Sequence, residues 1–416
     1  MTASRAEIAN LRELAKQQAE IAALPIMQKR ETLWYDLNNG SSAHPVVVME
    51  FHGNEDEVFP PITCRDPLLW SIERQLSHNI YIHNNFNDDR VVPGFVKLAV
   101  PNYFVPFNYR HPAHKVAEVP GIGFMYDHAV ENLEADFNVF QPSAFIVDKG
   151  LKEAEKLKQS LENIFGDILP VRLEFPCLKF SPANMLISMM SMETMFYSIL
   201  DYPELFHKLM RQLTDDFHAY IDALEAGGAI LPNNDASTVG QDSYGYTHDL
   251  PSSQELDRPA QLSDVWGYSN FQETVGMSVE MFDEFFFSYM LEISNRCGLY
   301  SYGCCEPVDG LFEPCLSRIK NLRKLSVSPW CNEEAIGEML RGTKICYARK
   351  PSPNFHAETV FDEEGYFKHI IKTVKAARGC PLEFTSRDIT TVCGDPKRLG
   401  RAVELAREAI ARHWVV

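Results

Sequence analysis

Long hydrophobic runs, clustered positive charge and a cysteine framework are all missing from this 416-residue sequence. Its longest apolar stretches, such as residues 185–190, fall well short of the about 20 residues that a bilayer-crossing helix needs, so no membrane span is expected. Lys and Arg number 39 against 57 Asp and Glu, a net of -18 with no basic cluster. Long-range repulsion therefore disfavours a nucleic-acid duplex or an anionic membrane as partner, although a local basic site could still hold an anionic small molecule. The ten cysteines keep no regular spacing, and eight of them lie between Cys297 and Cys393. Without an export signal, reduced thiols are expected. The opening 25 residues place Ile8, Leu11, Ala15 and Ala19 on one helical face and carry Glu7, Arg12, Glu13, Lys16 and Glu20. That pattern predicts an amphipathic helix rather than a signal peptide, and a cytoplasmic protein. No C-x-x-C, H-x-C, H-E-x-x-H, Walker loop, kinase set or G-x-S-x-G elbow occurs, and Gly121-Ile122-Gly123 lacks the third glycine of a dinucleotide fingerprint.

What is present is core-forming material: 45% hydrophobic, 11% aromatic and only 23% charged residues. No repeat, low-complexity segment or Pro/Gly/Ser linker divides the chain, so one domain is expected over 1–416, with 1–44 as an N-terminal helical extension. Short apolar runs at residues 46–51, 95–100, 171–175, 229–231, 298–302, 324–327, 344–347 and 382–385 alternate with amphipathic stretches. Eight strands separated by helices predict an α/β fold, a (β/α)8 TIM barrel with a parallel sheet. Ser278 is placed to cap a helix carrying Phe282, Phe285, Phe286, Tyr289 and Ile293, which Gly298 ends. Asp395-Pro396 opens a last helix striped by Leu399, Val403, Ala406 and Ile410. Residues 101–126 and 233–267 lack periodicity and are long enough to be rim insertions or lids.

Reactive groups of such a barrel come from the C-terminal strand ends and the loops beyond them. That rule selects Glu50 and His52, Asn233, Asn234 and Asp235, Cys304, Cys305 and Glu306, Trp330 and Cys331, Arg349 and Lys350, and Arg387 and Asp388. Cysteine beside carboxylate suits zinc or an activated thiol, with Cys305 and Glu306 as leading ligands and a distant His or Cys such as Cys331 completing the set; the alternative is a pair of buried structural thiols. Arg349, Lys350 and Arg387 could grip a carboxylate or phosphate, or pair with nearby acids. His52 and His83 titrate in the range of a general base, against the commoner structural histidine. Trp330 and the aromatics Tyr103, Phe104, Phe107 and Tyr109 could line a pocket for a flat ligand, against ordinary core packing.

Three stretches carry a resemblance: 277–289 (MSVEMFDEFFFSY), 298–303 (GLYSYG) and 324–330 (KLSVSPW), together with Cys304-Cys305-Glu306-Pro307, Arg349-Lys350-Pro351-Ser352-Pro353 and Arg387-Asp388. From about residue 169 onward the sequence resembles the uroporphyrinogen decarboxylase superfamily, in its decarboxylase-like branch. The resemblance implies a TIM barrel and either decarboxylation or zinc-dependent methyl transfer involving corrinoid proteins and thiols. The sequence departs from both activities. The decarboxylases' Arg-x-Ala-Gly-Arg segment has no counterpart near residues 50–56, and the methyltransferases' His-x-Cys-Gly aligns with Tyr300-Ser301-Tyr302-Gly303. The expectation is a methyltransferase-like enzyme moving a methyl group between a small substrate and a corrinoid protein or thiol. Glu306, Tyr300, Tyr302, His52 and Asp388 are its candidate catalytic groups, with Tyr300 and Tyr302 donating a proton if zinc is absent. Trp330, Arg349, Lys350, Arg387 and Asn234 would bind substrate, and Cys304, Cys305 and Cys331 would hold zinc. A decarboxylase or lyase acting on a carboxylated aromatic, and a non-catalytic ligand-binding barrel, are the alternatives; a homodimer is compatible with all three.

Overall fold

The computed structural model describes residues 4–101, 103–110, 113–115, 124–241 and 243–415; Gly121-Ile122-Gly123 lies outside them. Nine short strands build the barrel: β1 (Val46–Met49), β2 (Val96–Ala99), β3 (Val171–Glu174), β4 (Leu178–Lys179), β5 (Trp266–Ser269), β6 (Leu299–Tyr302), β7 (Leu322–Val327), β8 (Cys346–Arg349) and β9 (Leu382–Ser386). Seven form one parallel sheet in the order β1-β9-β8-β7-β6-β5-β4, and β2 pairs in parallel with β3. Only residues 175–177 separate β3 from β4, and the mixed α/β arrangement is consistent with an eight-position barrel. The hydrogen-bonded ring is not closed. Between β1 and β2 no strand pairing occurs among the described residues; instead Asp89 accepts the Val47 amide at 2.8 Å and Asp88 accepts the Met49 amide at 3.0 Å. These carboxylates satisfy an edge whose buried amides would otherwise be orphaned.

Two expected strands shift. Ala229 and Ile230 are buried and Leu231 partly so, but none is in a strand, and β5, at the end of the stretch read as a loop, takes the fourth place instead. The run Ala229, Ile230 and Leu231 packs as apolar filler, whereas Trp-Gly-Tyr-Ser shows no hydrophobic run to betray a strand. The expected 344–347 strand lies two residues later, at β8.

Helices cover the outer face. α1 (Arg5–Ala22) starts at a capping box between Ser4 and Glu7, and its Leu11 and Ala15 join Leu69, Ile72, Val96 and Val171 in a satellite core. α2 (Pro25–Asn38) is the exception, sending Trp34 against the inward-facing Val46, Val48, Cys346 and Ala348 of β1 and β8. α3 (Pro67–Asn85), α4 (Asp148–Phe165), α5 (Pro203–Ala226), α6 (residues 279–294, with a π turn at Asp283–Phe287), α7 (Glu333–Leu340), α8 (Glu363–Ala376) and α9 (Lys397–His413) follow. The caps expected at Ser278 and around Asp395 appear there: Ser278 accepts the Met281 amide, and Asp395 Oδ1 accepts the Lys397 amide just inside the last helix. Leu399, Val403 and Ala406 are fully buried, while Ile410 is partly so. No helix of the described residues is long and apolar enough to cross a membrane.

The barrel interior is plugged by its own chain. Residues 237–241 and 243–245 are the two arms of a hairpin in which the Val239 amide donates to Ser243 O and the Gly245 amide to Ser237 O. Its side chains meet the inward face of strand after strand: Val239 packs with Trp266 and Leu299, Ser243 donates to Glu383, and Tyr244 and Tyr246 pack with Val46, Val48, Cys346 and Ala348. Part of the stretch read as a rim insertion or lid, residues 237–241 and 243–246, is therefore an internal filler.

Candidate functional site

Alternation along the strands decides which groups reach the interior. Tyr268, Ser301, Ser326, Thr385, Lys324 and Glu383 point inward, whereas Tyr300, Tyr302, Leu325, Val327, Tyr347 and Phe384 belong to the outer core beneath the helices. Tyr300 shares a hydrogen bond at 2.5 Å with Ser269, and Tyr302 stacks with Phe271 at 6.2 Å. Both tyrosines, expected as proton donors to substrate, are thus sealed on the side away from the mouth.

Above the hairpin tip, the C-terminal ends of β6, β9 and β1 bring five expected residues together: Cys304, Cys305, Arg387, Asp388 and His52. Gly303, at φ 98, turns the chain so that Cys304 and Cys305 follow with their sulfurs 3.5 Å apart. The Cys305 sulfur lies 3.9 Å from Asp388 Oδ2, Arg387 donates to the same carboxylate at 3.3 Å, and the Asp388 amide donates to His52 Nδ1 at 3.1 Å. Asp388 itself adopts a left-handed conformation, φ 59, uncommon for a non-glycine residue and often a mark of a functional constraint. Because Nδ1 accepts this bond, neutral His52 carries its proton on Nε2. His52 also borders a polar cavity of about 370 Å³ with Glu50, Arg74, His78 and Arg90, beside the open β1–β2 seam. The Cys304 S–H bond to Cys305 holds the Cys305 thiol below the ordinary range, against the opposing effect of burial, and Arg387 adds to the lowering; the same bond, then burial, raises Cys304.

Glu306 ties the site's walls together. Its two oxygens accept the Phe271 and Cys304 amides at 2.8 and 3.0 Å, and burial pushes its carboxyl up. Below the thiols, Tyr268 donates to Gly303 O at 3.3 Å and receives the Gln241 amide, while Lys350 donates to Gln241 O at 2.9 Å. Lys350 is therefore engaged with the hairpin tip inside the barrel.

The remaining expected residues do not join this group. Arg349 points outward, donating to Ser328 O at 2.6 Å and pairing with Glu333 at 3.2 Å. Asn234 sits near the N-terminal end of β5, its amide donating to Leu250 O, while Asn233 brackets the Trp266 backbone. Trp330 is 72% exposed on the loop after β7. His83 lies on α3, 3.5 Å from Arg30, and Phe104 and Phe107 pack in the core. Zinc does not fit the thiols as placed. Cys331 accepts the Val308 amide at 3.4 Å, both Glu306 oxygens are taken by amides, and no three His, Cys, Asp or Glu side chains among the described residues gather as a metal site. The groups missed from sequence are Tyr268, Gln241, Lys324 and Glu383. Polar residues at two-residue spacing inside apolar strands, Lys324 with Ser326 and Glu383 with Thr385, are the signal that marks the inward face.

No protein-family model matches the sequence, and no curated protein does. Among solved structures the chain is similar to a methyltransferase from Methanosarcina mazei, with a TM-score of 0.49 and 12% identity over 92% of this chain and 99% of that one.

Proposed function

We propose that the chain is a methyltransferase-like enzyme that takes a small methylated substrate at the barrel mouth and passes the methyl group to a corrinoid protein or a thiol. The observation that supports the reading is the convergence of Arg387, Asp388, His52 and Cys305 above the plug hairpin. The motif resemblance from residue 277 onward points the same way. A corrinoid would supply a strongly nucleophilic cobalt as methyl acceptor. The chain's own residues then make the leaving heteroatom less basic. Arg387 places positive charge where negative charge develops, and His52 offers its Nε2–H as a hydrogen-bond donor to the leaving heteroatom, whose proton then comes from solvent. Asp388 fixes both groups, one through its carboxylate and one through its backbone amide. The decarboxylase alternative needs two arginines gripping carboxylates, and Arg349 is turned to Glu333 outside the barrel.

The test is methylcobalamin or methyl-thioether formation from a panel of methoxylated aromatics, methylated thiols and methylated amines, with free cob(I)alamin or a small thiol as acceptor. Turnover is expected, and Arg387→Met should lower kcat/KM by about 10- to 100-fold, the loss of one charge-assisted contact of about 1.5–3 kcal/mol. Panel-wide absence of methyl transfer to either acceptor would sink the reading and leave a ligand-binding barrel.

A further inference from the structure

Cys304 and Cys305 stand out because the fold holds two adjacent thiols close together without letting them approach further. Their sulfurs are 3.5 Å apart. A disulfide would need about 2.0 Å, and neighbouring Cα atoms, about 3.8 Å apart across a trans peptide, are closer than the usual disulfide range of 4.4–6.8 Å. Closing the gap therefore demands backbone movement, and the backbone here is pinned on both sides. The Cys304 amide donates to Glu306 Oε2 at 3.0 Å, its carbonyl accepts from Ser326 Oγ at 3.1 Å, and the Gly303 amide before it donates to Ser269 O at 2.9 Å. Glu306 is in turn fixed by the Phe271 amide.

A bridging atom needs no such movement. Two bonds to thiolate of about 2.3 Å, meeting at roughly 100° as in a pyramidal three-coordinate centre, put their sulfurs about 3.5 Å apart. A tetrahedral ion would spread the same bonds to about 3.8 Å and would require further ligands. Among the described residues no three His, Cys, Asp or Glu side chains gather to supply them. Cys305 is only half-buried, so the pair is open to solvent on its side.

We propose that Cys304 and Cys305 form a preorganised dithiol site for a monosubstituted trivalent arsenical, a pyramidal thiophilic centre bearing one carbon group. With an arsenic oxide as the entering species, two arsenic–sulfur bonds form and two S–H bonds break. The oxide oxygen leaves with the two protons as water, and arsenic stays trivalent. The site shares Cys305 with the methyl-transfer reading, but binding is measured without turnover, so failure of one can be told from failure of the other.

The experiment titrates the reduced full-length chain with phenylarsine oxide, following intact mass and free thiols. One equivalent should add with the loss of two reactive thiols, resist a large excess of monothiol, and be stripped by 2,3-dimercaptopropanol. Cys305→Ser, a half-buried position whose folding is checked by circular dichroism, should weaken the monothiol-resistant adduct at least about 100-fold, as should Cys304→Ser if it folds. Cys393→Ser should behave as the parent. An equally resistant adduct in folded Cys305→Ser overturns the proposal, and so does ready formation of a Cys304–Cys305 disulfide in the native chain under mild peroxide, which would show the backbone is not pinned.

Discussion

Lys324 and Glu383 face each other at 3.1 Å on the barrel axis, with side-chain exposures of 1% and 0%. Burying two charges is expensive, and the structure offsets it with neighbours: Glu383 also accepts from Ser243 and Thr385, and the Lys324 ammonium lies 5.1 Å from the Trp34 ring. For Glu383 burial is the largest influence and would raise its pKa, but Lys324, Lys350 and these hydrogen bonds together outweigh it and the pKa is lowered. A depressed carboxylate contributes stability above its unfolded pKa and loses it as pH falls through the folded value. Removing one partner strands the other, so Lys324→Met should cost about 3–5 kcal/mol in urea unfolding at neutral pH. In Lys324→Met/Glu383→Leu much of that loss should return. An equal or larger loss in the double variant would mean the pair is not the source of the cost. The pair was legible only as a spacing, since a Lys or Glu in a short strand reads equally well as a solvated edge.

The 237–245 hairpin is the element that decides what the mouth looks like. Gly240 sits at φ 94, and a Cβ there would lie 2.7 Å from Ser301 Oγ and 3.0 Å from the Tyr268 ring. Left-handed backbone and a tight contact add, so Gly240→Ala should destabilise the chain by about 1–3 kcal/mol in thermal or urea unfolding. It should also displace Gln241 from Tyr268 and thereby lower activity at the mouth, whereas Gly310→Ala, whose Cβ meets open space, should leave both nearly unchanged. Unchanged stability in Gly240→Ala would show that the hairpin tip yields freely. Sequence reading recognised this stretch as irregular and long, because no periodicity runs through it. It could not see that the polar atoms of the stretch are satisfied by inward-facing strand residues rather than by water.

Across the whole molecule, His78, His356 and His369 are each lowered to about 4, with burial the first cause in every case. His78 is stacked on Phe59 at 3.7 Å, and His356 lies against Phe361 and Tyr366. Between their ordinary value of 6.5 and about 4 the unfolded chain holds protons that the folded chain refuses. Unfolding then takes up protons, and stability falls as pH falls, by up to about 4 kcal/mol per pH unit in mid-window if all three act together. Urea midpoints should therefore decline steadily from pH 6.5 downward, and His356→Phe should flatten part of that slope. A midpoint independent of pH over this range would contradict the burial of these rings. The surplus of acidic groups acts in the other direction, since protonating exposed carboxylates relieves self-repulsion; the histidine term is distinguished by its loss in the variant.

Sequence alone determined the periodic parts: the amphipathic α1 with its Ser4 and Glu7 cap, the stripe of Leu399, Val403 and Ala406, and most strand positions from β6 to β9. These follow from local spacing and capping chemistry, which no distant contact needs to supply. Tertiary structure decided the direction and company of each reactive side chain. Tyr300 and Ser301 are neighbours in sequence, yet one is sealed under helices and the other faces the plug, while Cys305, Asp388 and His52 meet across more than 330 residues of chain. A strand's alternation fixes that successive residues face opposite ways, but only the packing of the sheet around its own hairpin fixes which way is in.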